Sequence, residues 1–307
     1  MRLIFAGTPS AALPSLEALL ASQHEITAVL TRPPARAGRG RLLAHSPIHA
    51  LADENGIEVL TPTSLSDDNF VARLAELEPD CIPVVAYGAL VPAALLEVPP
   101  LGWVNLHFSL LPAWRGAAPV QHALLYGDDI TGATTFRLDE GLDTGPVYGR
   151  LTENVTATDT SGTLLERLSR SGAGLLVATV DALAAGTIIA EPQRPDGISL
   201  APKITAEMAR IKWTQPALGV DRRVRACTPD PGAWTEFRGE RLGLGPVQCQ
   251  EAQDLAPAEL RIERNAVVVG TATANVILST VQPAGRRQMS ATDWVRGIRP
   301  ETSERFE

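Results

Sequence analysis

Apolar runs rich in β-branched residues alternate with amphipathic stretches through the first half of the chain, as strands and helices do in a parallel sheet covered by helices. Residues 2–7 (RLIFAG), 25–31 (EITAVLT), 57–60 (IEVL), 81–88 (CIPVVAYG) and 102–107 (GWVNLH) read as strands. Between them, residues 10–22, 46–56 and 67–79 carry helical spacing, with Ser46 as N-cap, Pro47 at the first helical position and Gly56 as the stop. A helix over 118–127, strands over 132–139 and 145–155, and a long helix over 159–186 complete this part. Residues 186–205 hold three prolines and little periodicity, as a linker does. Beyond them lie one helix, 215–228, and short strand-like runs at 233–237, 241–252, 259–264, 266–270 and 274–282, spaced as in a small β-barrel. The expected organisation is an α/β domain over 1–187, a linker over 188–206 and a smaller β domain over 207–307.

A length of 307 residues suits two domains, and no apolar run approaches the roughly 20 residues of a membrane span. A soluble protein with no membrane partner is expected. Three cysteines, Cys81, Cys227 and Cys249, form no C-x-x-C pair and suit a reducing, cytoplasmic setting. The net charge of -8 argues against coating nucleic acid by charge alone. Its distribution is uneven: residues 1–207 carry 13 basic and 23 acidic side chains, and the remainder 14 and 12. Residues 26–52 break the acidic pattern, with no acid and four arginines, Arg32, Arg36, Arg39 and Arg41. Such a Pro/Gly-rich stretch reads as solvated surface or, beside a site, as a phosphate clamp, because guanidinium forks pair with phosphate oxygens.

Several familiar chemistries find no support. Only Gly7 stands where a dinucleotide fingerprint needs three glycines, and neither a P-loop nor G-x-S-x-G occurs. His45 and His49 share a helical face without a third ligand, so no metal is expected. The stretch NLHFSLLPAWRGAAP (105–119) is more informative. Asn105 and His107 alternate about Leu106, so both point to one side at the end of a strand. Alone, the pair reads equally as a hydrogen-bonded corner or as a site, since open α/β sheets bind ligands at that end of their strands. A second loop, LDEGLDTG (138–145), sets carboxylates on a Gly-rich turn after another strand. A carboxylate, an imidazole and a carboxamide at neighbouring strand ends supply an acid, an orienting group and an oxyanion donor, a set suited to acyl transfer to an amine.

NLHFSLLPAWRGAAP followed by GLDTG resembles the signature of the 10-formyltetrahydrofolate-dependent formyltransferases, and FAGTP, VVAYG, DTSGTL, APKI and QPAG also sit where members of that family have them. The resemblance implies a Rossmann-like catalytic domain and an OB-like β-barrel that helps hold tRNA. It implies Asn105, His107 and Asp143 as the catalytic trio, with Asn105 and His107 donating to the developing oxyanion. The same resemblance implies a folate pocket lined by Ser109, Leu110, Leu111 and Pro112, by Val85, Ala86, Tyr87 and Gly88, and by Asp139. The arginine insertion, RPPARAGRG, implies that Arg36, Arg39 and Arg41 meet the acceptor end of a methionyl initiator tRNA. The implied donor is 10-formyltetrahydrofolate, and a monomer is expected. Sibling enzymes acting on a sugar nucleotide or another small amine, or hydrolysing the formyl-folate, are the alternatives. Phe108 departs from the small residue usual beside the His, and PPAR departs from the usual PDRP.

Overall fold

The computed structural model describes residues 1–37, 42–301 and 304–307. They divide into two compact units: residues 1–116, 130–154 and 165–200 form the first, and residues 117–129, 155–164 and 201–307 the second. The second unit thus takes two segments from the part of the chain read as α/β, so the division in space is not a single cut along the sequence.

In chain order the elements up to residue 184 are β1 (Arg2–Gly7), α1 (Leu13–Leu20), β2 (Glu25–Leu30), β3 (Ala35–Ala37), β4 (Leu42–Ala44), α2 (Pro47–Glu54) and β5 (Glu58–Leu60). They continue with α3 (Asp68–Leu77), β6 (Ile82–Val85), α4 (Ala93–Leu96), β7 (Trp103–His107), α5 (Pro119–Tyr126), β8 (Ile130–Arg137), β9 (Val147–Asn154) and α6 (Ser161–Ala184). Local chemistry sets several boundaries. The Ser46 side chain accepts from His49 N at 3.0 Å to open α2, and Asp67 accepts from Asn69 N and Phe70 N to open α3. That helix stops at Glu78, left-handed at φ 44°, just before Pro79.

The first unit is built on a seven-stranded sheet in the order β5-β2-β1-β6-β7-β8-β9. Pairing is parallel from β5 through β7, while β8 and β9 run antiparallel. The chain winds outward from β1 to β2 and β5, then returns to lay β6 on the other flank of β1, so the winding reverses between β1 and β6. Open sheets hold ligands outside the carboxyl ends of strands at such a reversal. Leu3, Ile4, Phe5, Ile82 and Trp103 are fully buried in the core.

Gly172 explains one of the glycines within α6. A Cβ there would lie 3.0 Å from Leu106 Cδ2, so the glycine lets the helix pack closely on β7. Leu106 separates Asn105 from His107, and strand alternation sends it to the opposite face. The arginine stretch is not simply loop: β3 and β4 pair as an antiparallel ribbon with Arg36 opposite Leu43.

The second unit contains α5, α7 (Ala217–Ala226), β10 (Trp234–Phe237), β11 (Glu240–Leu244), β12 (Val247–Cys249), β13 (Leu260–Ile262), β14 (Val267–Gly270), β15 (Asn275–Leu278), β16 (Thr280–Pro283), β17 (Met289–Ser290) and α8 (Ala291–Ile298). Its strands make two four-stranded antiparallel sheets, β10-β11-β16-β17 and β12-β15-β14-β13, over one apolar core. The run 241–252, read as one strand, breaks at Gly245 and Pro246 and changes sheets there. A Cβ at Gly245 would overlap the Thr280 hydroxyl, which shows how tight this corner is. Trp213 stacks on Phe306 at 5.3 Å, and Trp294 and Phe237 close the same aromatic group.

Candidate active site

The end of β7 and two loops of the first unit carry the residues that the sequence singles out. His107 is the last residue of β7, 6% exposed, with Asn105 two positions earlier. Asn105 pairs in register with Val84 of β6 on one side and Phe136 of β8 on the other. No hydrogen bond occupies the Asn105 carboxamide among the described residues, so its donors are free to meet a ligand.

The imidazole is held from both sides. Its Nε2 lies 2.9 Å from the carbonyl oxygen of Trp114, and its Nδ1 lies 3.7 Å from Asp143 Oδ2. A carbonyl only accepts, so Nε2 carries the ring proton and the neutral ring presents Nδ1 as a lone pair. Burial pulls the His107 pKa below its ordinary 6.5; the Asp143 charge and the Trp114 carbonyl oppose that pull without reversing it. The ring is therefore a neutral base with a carboxylate placed to receive it once charged. Phe136 meets it edge-on at 6.4 Å.

Asp143 reaches this position by an indirect route. Because β8 is antiparallel to β7, the loop after β8 starts at the opposite end of β7, where Leu138 N donates to Trp103 O at 2.8 Å. Expecting neighbouring strand ends pointing the same way is thus corrected: the loop has to travel back along β7. Asp143 makes that return in a left-handed conformation, φ 51°, with Oδ2 accepting from Gly116 N at 2.7 Å. Asp139, exposed at the loop's start, accepts from Gly141 N and Thr144 Oγ1 and shapes the turn. At the loop's end, a Cβ on Gly145 would overlap the Arg137 carbonyl, so only glycine fits.

The remaining predicted residues are sorted by burial. Ser109 turns inward and donates to Ala113 O at 2.6 Å, while Leu111 packs with Phe136 and Val147; Leu110 and Pro112 are half-buried. Phe108 is 7% exposed, so its bulk adds to the packed interior. After β6, Val85 and Tyr87 are buried, whereas Ala86 (φ 49°) and Gly88 (φ 85°) are exposed and left-handed. Thr8 Oγ1 donates to Tyr87 O at 2.9 Å, fastening the end of β1 to this loop across the winding reversal. Gly7 is explained by packing, since a Cβ there would press on Phe5 and Ala12. Arg36 lies on the β3–β4 ribbon, and Arg39 and Arg41 lie outside the described residues.

Two functional contributions left no signature in residue type or spacing. The Trp114 carbonyl that fixes the His107 tautomer is backbone, which any residue could supply. Gln193, in the stretch read as linker, donates to both Asp143 O and Gly145 O.

Comparison with known proteins follows from this geometry. Residues 1–180 match the family model described as formyl transferase, and residues 203–299 match that of the formyl transferase C-terminal domain. The methionyl-tRNA formyltransferase of Salinispora arenicola is 61% identical over 305 residues, 99% of each chain. Among solved structures, the methionyl-tRNA formyltransferase from Clostridium thermocellum superposes with TM-score 0.59 at 14% identity, over 91% of this chain and 98% of that one. HypX from Aquifex aeolicus, solved in complex with tetrahydrofolic acid, gives TM-score 0.64 at 16% identity. The match covers 96% of this chain but 46% of HypX, so this chain spans about half the length of that protein.

Proposed function

This chain belongs to the formyl transferase family, and from that premise we propose that it transfers the formyl group of 10-formyltetrahydrofolate to the α-amino group of methionyl initiator tRNA. One observation carries the chemistry: a buried imidazole on the strand that also bears Asn105, its tautomer fixed by the Trp114 carbonyl, lies 3.7 Å from the carboxylate of Asp143 in the loop after β8.

The α-amine attacks the formyl carbon, forming the new C–N bond while the carbonyl π electrons move to oxygen. Asn105 is the donor to that oxyanion from the start. With Nε2 engaged, neutral His107 accepts the proton from the attacking nitrogen at Nδ1. Asp143 stabilises the imidazolium so formed. The intermediate then collapses: the bond from carbon to N10 breaks, and the Nδ1 proton passes to N10, so the amine loses one proton and the folate gains it. The neutral ring has no Nδ1 proton to give, so the expected donation from His107 to the developing oxyanion is corrected: it can begin only after His107 has accepted the amine proton. No step requires a metal.

Ala86, Gly88, Leu110, Pro112 and Asp139 offer partly open surface to the folate, with Val85, Tyr87, Ser109 and Leu111 shaping the backbone behind them. The arginine stretch, with Arg36, Arg39 and Arg41, binds the acceptor end of the tRNA. The protein acts as a cytoplasmic monomer.

The test is formyl transfer to charged initiator and elongator tRNAs, assayed side by side. Asn105→Ala is expected to lower kcat by roughly 100- to 1000-fold. His107→Ala and Asp143→Ala are expected to lower it by about 100- to 10,000-fold, with folate binding retained. Near-normal turnover in purified His107→Ala would sink the assignment.

A further inference from the structure

We propose that residues 191–199 are a positioning strap, in which Gln193 and Ser199 set the spacing between His107 and Asp143; this rests on reading those two as the reacting pair. The strap begins at the base of the Asp143 loop. Glu191 pairs with Val147, the first residue of β9, through two backbone hydrogen bonds of 2.7 and 2.8 Å.

Gln193 then spans two loops. Its Nε2 donates to Asp143 O at 2.8 Å and to Gly145 O at 2.9 Å, while its Oε1 accepts from Arg115 Nη2 at 2.7 Å and Nε at 3.1 Å. Both donors and both acceptor positions of one carboxamide are used. The groups it joins are the backbone of Asp143 and the residue preceding Gly116, whose N–H holds the Asp143 carboxylate. Asp143 is left-handed at φ 51°, a region Asp enters more readily than most non-glycine residues, and Gln193 at its carbonyl and Gly116 at its carboxylate hold it there.

Ser199 holds the other member. Its Oγ accepts from Trp114 N at 2.9 Å and its carbonyl from Arg115 N at 2.9 Å. The Trp114 carbonyl is the acceptor for His107 Nε2. His107 is therefore one residue removed from the strap, and Asp143 is hydrogen-bonded to it through its own carbonyl. Their separation, 3.7 Å, is longer than a hydrogen bond, so no direct bond between them sets it. The loops set it, and the strap ties the loops. Both residues are positioning residues.

The experiment uses the full chain with Gln193→Met, Gln193→Glu, Ser199→Ala and Ser199→Thr. Gln193→Met keeps the shape and removes every hydrogen bond; Gln193→Glu keeps an acceptor for Arg115 but puts oxygen against two carbonyls. Both are expected to lower kcat by about 10- to 100-fold, with KM for donor and acceptor within about twofold of the parent. Ser199→Ala should lose activity, and Ser199→Thr, which retains the hydroxyl, should recover it. In NMR titration of the imidazoles without substrate, Gln193→Met should move the His107 midpoint down, as the carboxylate moves off. A folded Gln193→Met chain with parental kcat and parental His107 midpoint overturns the strap. So does Gln193→Glu at parental kcat, since Arg115 would then be the only partner that mattered. The titration needs no formyl transfer, so a parent chain inactive as a transferase would fail the proposed function while the strap stood or fell on the midpoint alone.

Discussion

At the scale of residues, the proposed chemistry turns on the protonation of His107. Because burial depresses its pKa, the acid limb of kcat/KM should have its midpoint below 6.5. Asp143→Asn should move that midpoint lower still, since the carboxylate is what favours the imidazolium; an upward move in the pH–rate profile would contradict the pairing. Stability follows the same sign. In the unfolded chain the ring takes its proton near 6.5, while in the folded chain it takes it lower. The His107 contribution is therefore fully present above 6.5 and is lost as pH falls from there through the folded value. Removing the ring, as in His107→Gln, should flatten that part of a stability-versus-pH curve measured by denaturant unfolding. The cysteines behave differently from one another. Burial pushes Cys81 up to about 12 and Cys227 up to about 11, and both are enclosed, whereas Cys249 is exposed. Burial raises the Cys249 thiol as well, so it should react with a maleimide only slowly in the native chain, and the other two only after denaturation. Mass spectrometry of the labelled peptides distinguishes them.

At the scale of elements, the two interior glycines of α6 make opposite predictions. Gly174 has open space where a Cβ would go, so Gly174→Ala should stabilise the chain by about 0.5–1 kcal/mol through helix propensity. Gly172 faces Leu106 at 3.0 Å, and Gly172→Val should destabilise by about 1–3 kcal/mol because the helix can no longer reach β7. Denaturant midpoints of the two variants, compared at equal slope, check both. The composition of α6 marked these glycines as unfavourable, but nothing in it told the exposed one from the buried one. That distinction belongs to the helix face that meets the strand. The same limit applies to β8: its apolar pattern identified a strand, while its direction depends on the partners beside it. Short α4 and the C-terminal α8 were also not anticipated, the first for its length and the second because one capping serine, Ser290, precedes only eight helical residues.

At the scale of the whole molecule, a net charge of -8 coexists with an acid-free arginine stretch. Under the proposed tRNA contact, long-range repulsion of RNA by the net charge and local attraction at Arg36, Arg39 and Arg41 oppose one another. The value of kcat/KM for charged tRNA should therefore fall with rising salt, and replacing Arg36, Arg39 and Arg41 together by alanine should reduce the slope of that dependence on a log–log plot. Folate binding, measured separately, should be little changed. A parental slope in the triple variant would remove the arginines from the tRNA contact.

The strand ends, the carboxamide–imidazole pair at 105 and 107, the Gly-rich acidic loop and the unusual arginine run were all legible in the sequence, because residue type and a period of two or 3.6 record them directly. The second unit's claim on residues 117–129 and 155–164 was not legible. Nor were the antiparallel turn of β8 and β9, or the backbone partner that fixes the His107 tautomer. The stretch 188–206 shows the difference most sharply. Proline and low periodicity predict an irregular conformation there, and on that basis alone it reads as a linker. Gln193 and Ser199 take their meaning from Asp143, Gly145, Trp114 and Arg115, between 48 and 85 positions away along the chain. Local propensity carries no trace of a hydrogen bond to a distant backbone group; only closure of the tertiary structure brings the two together.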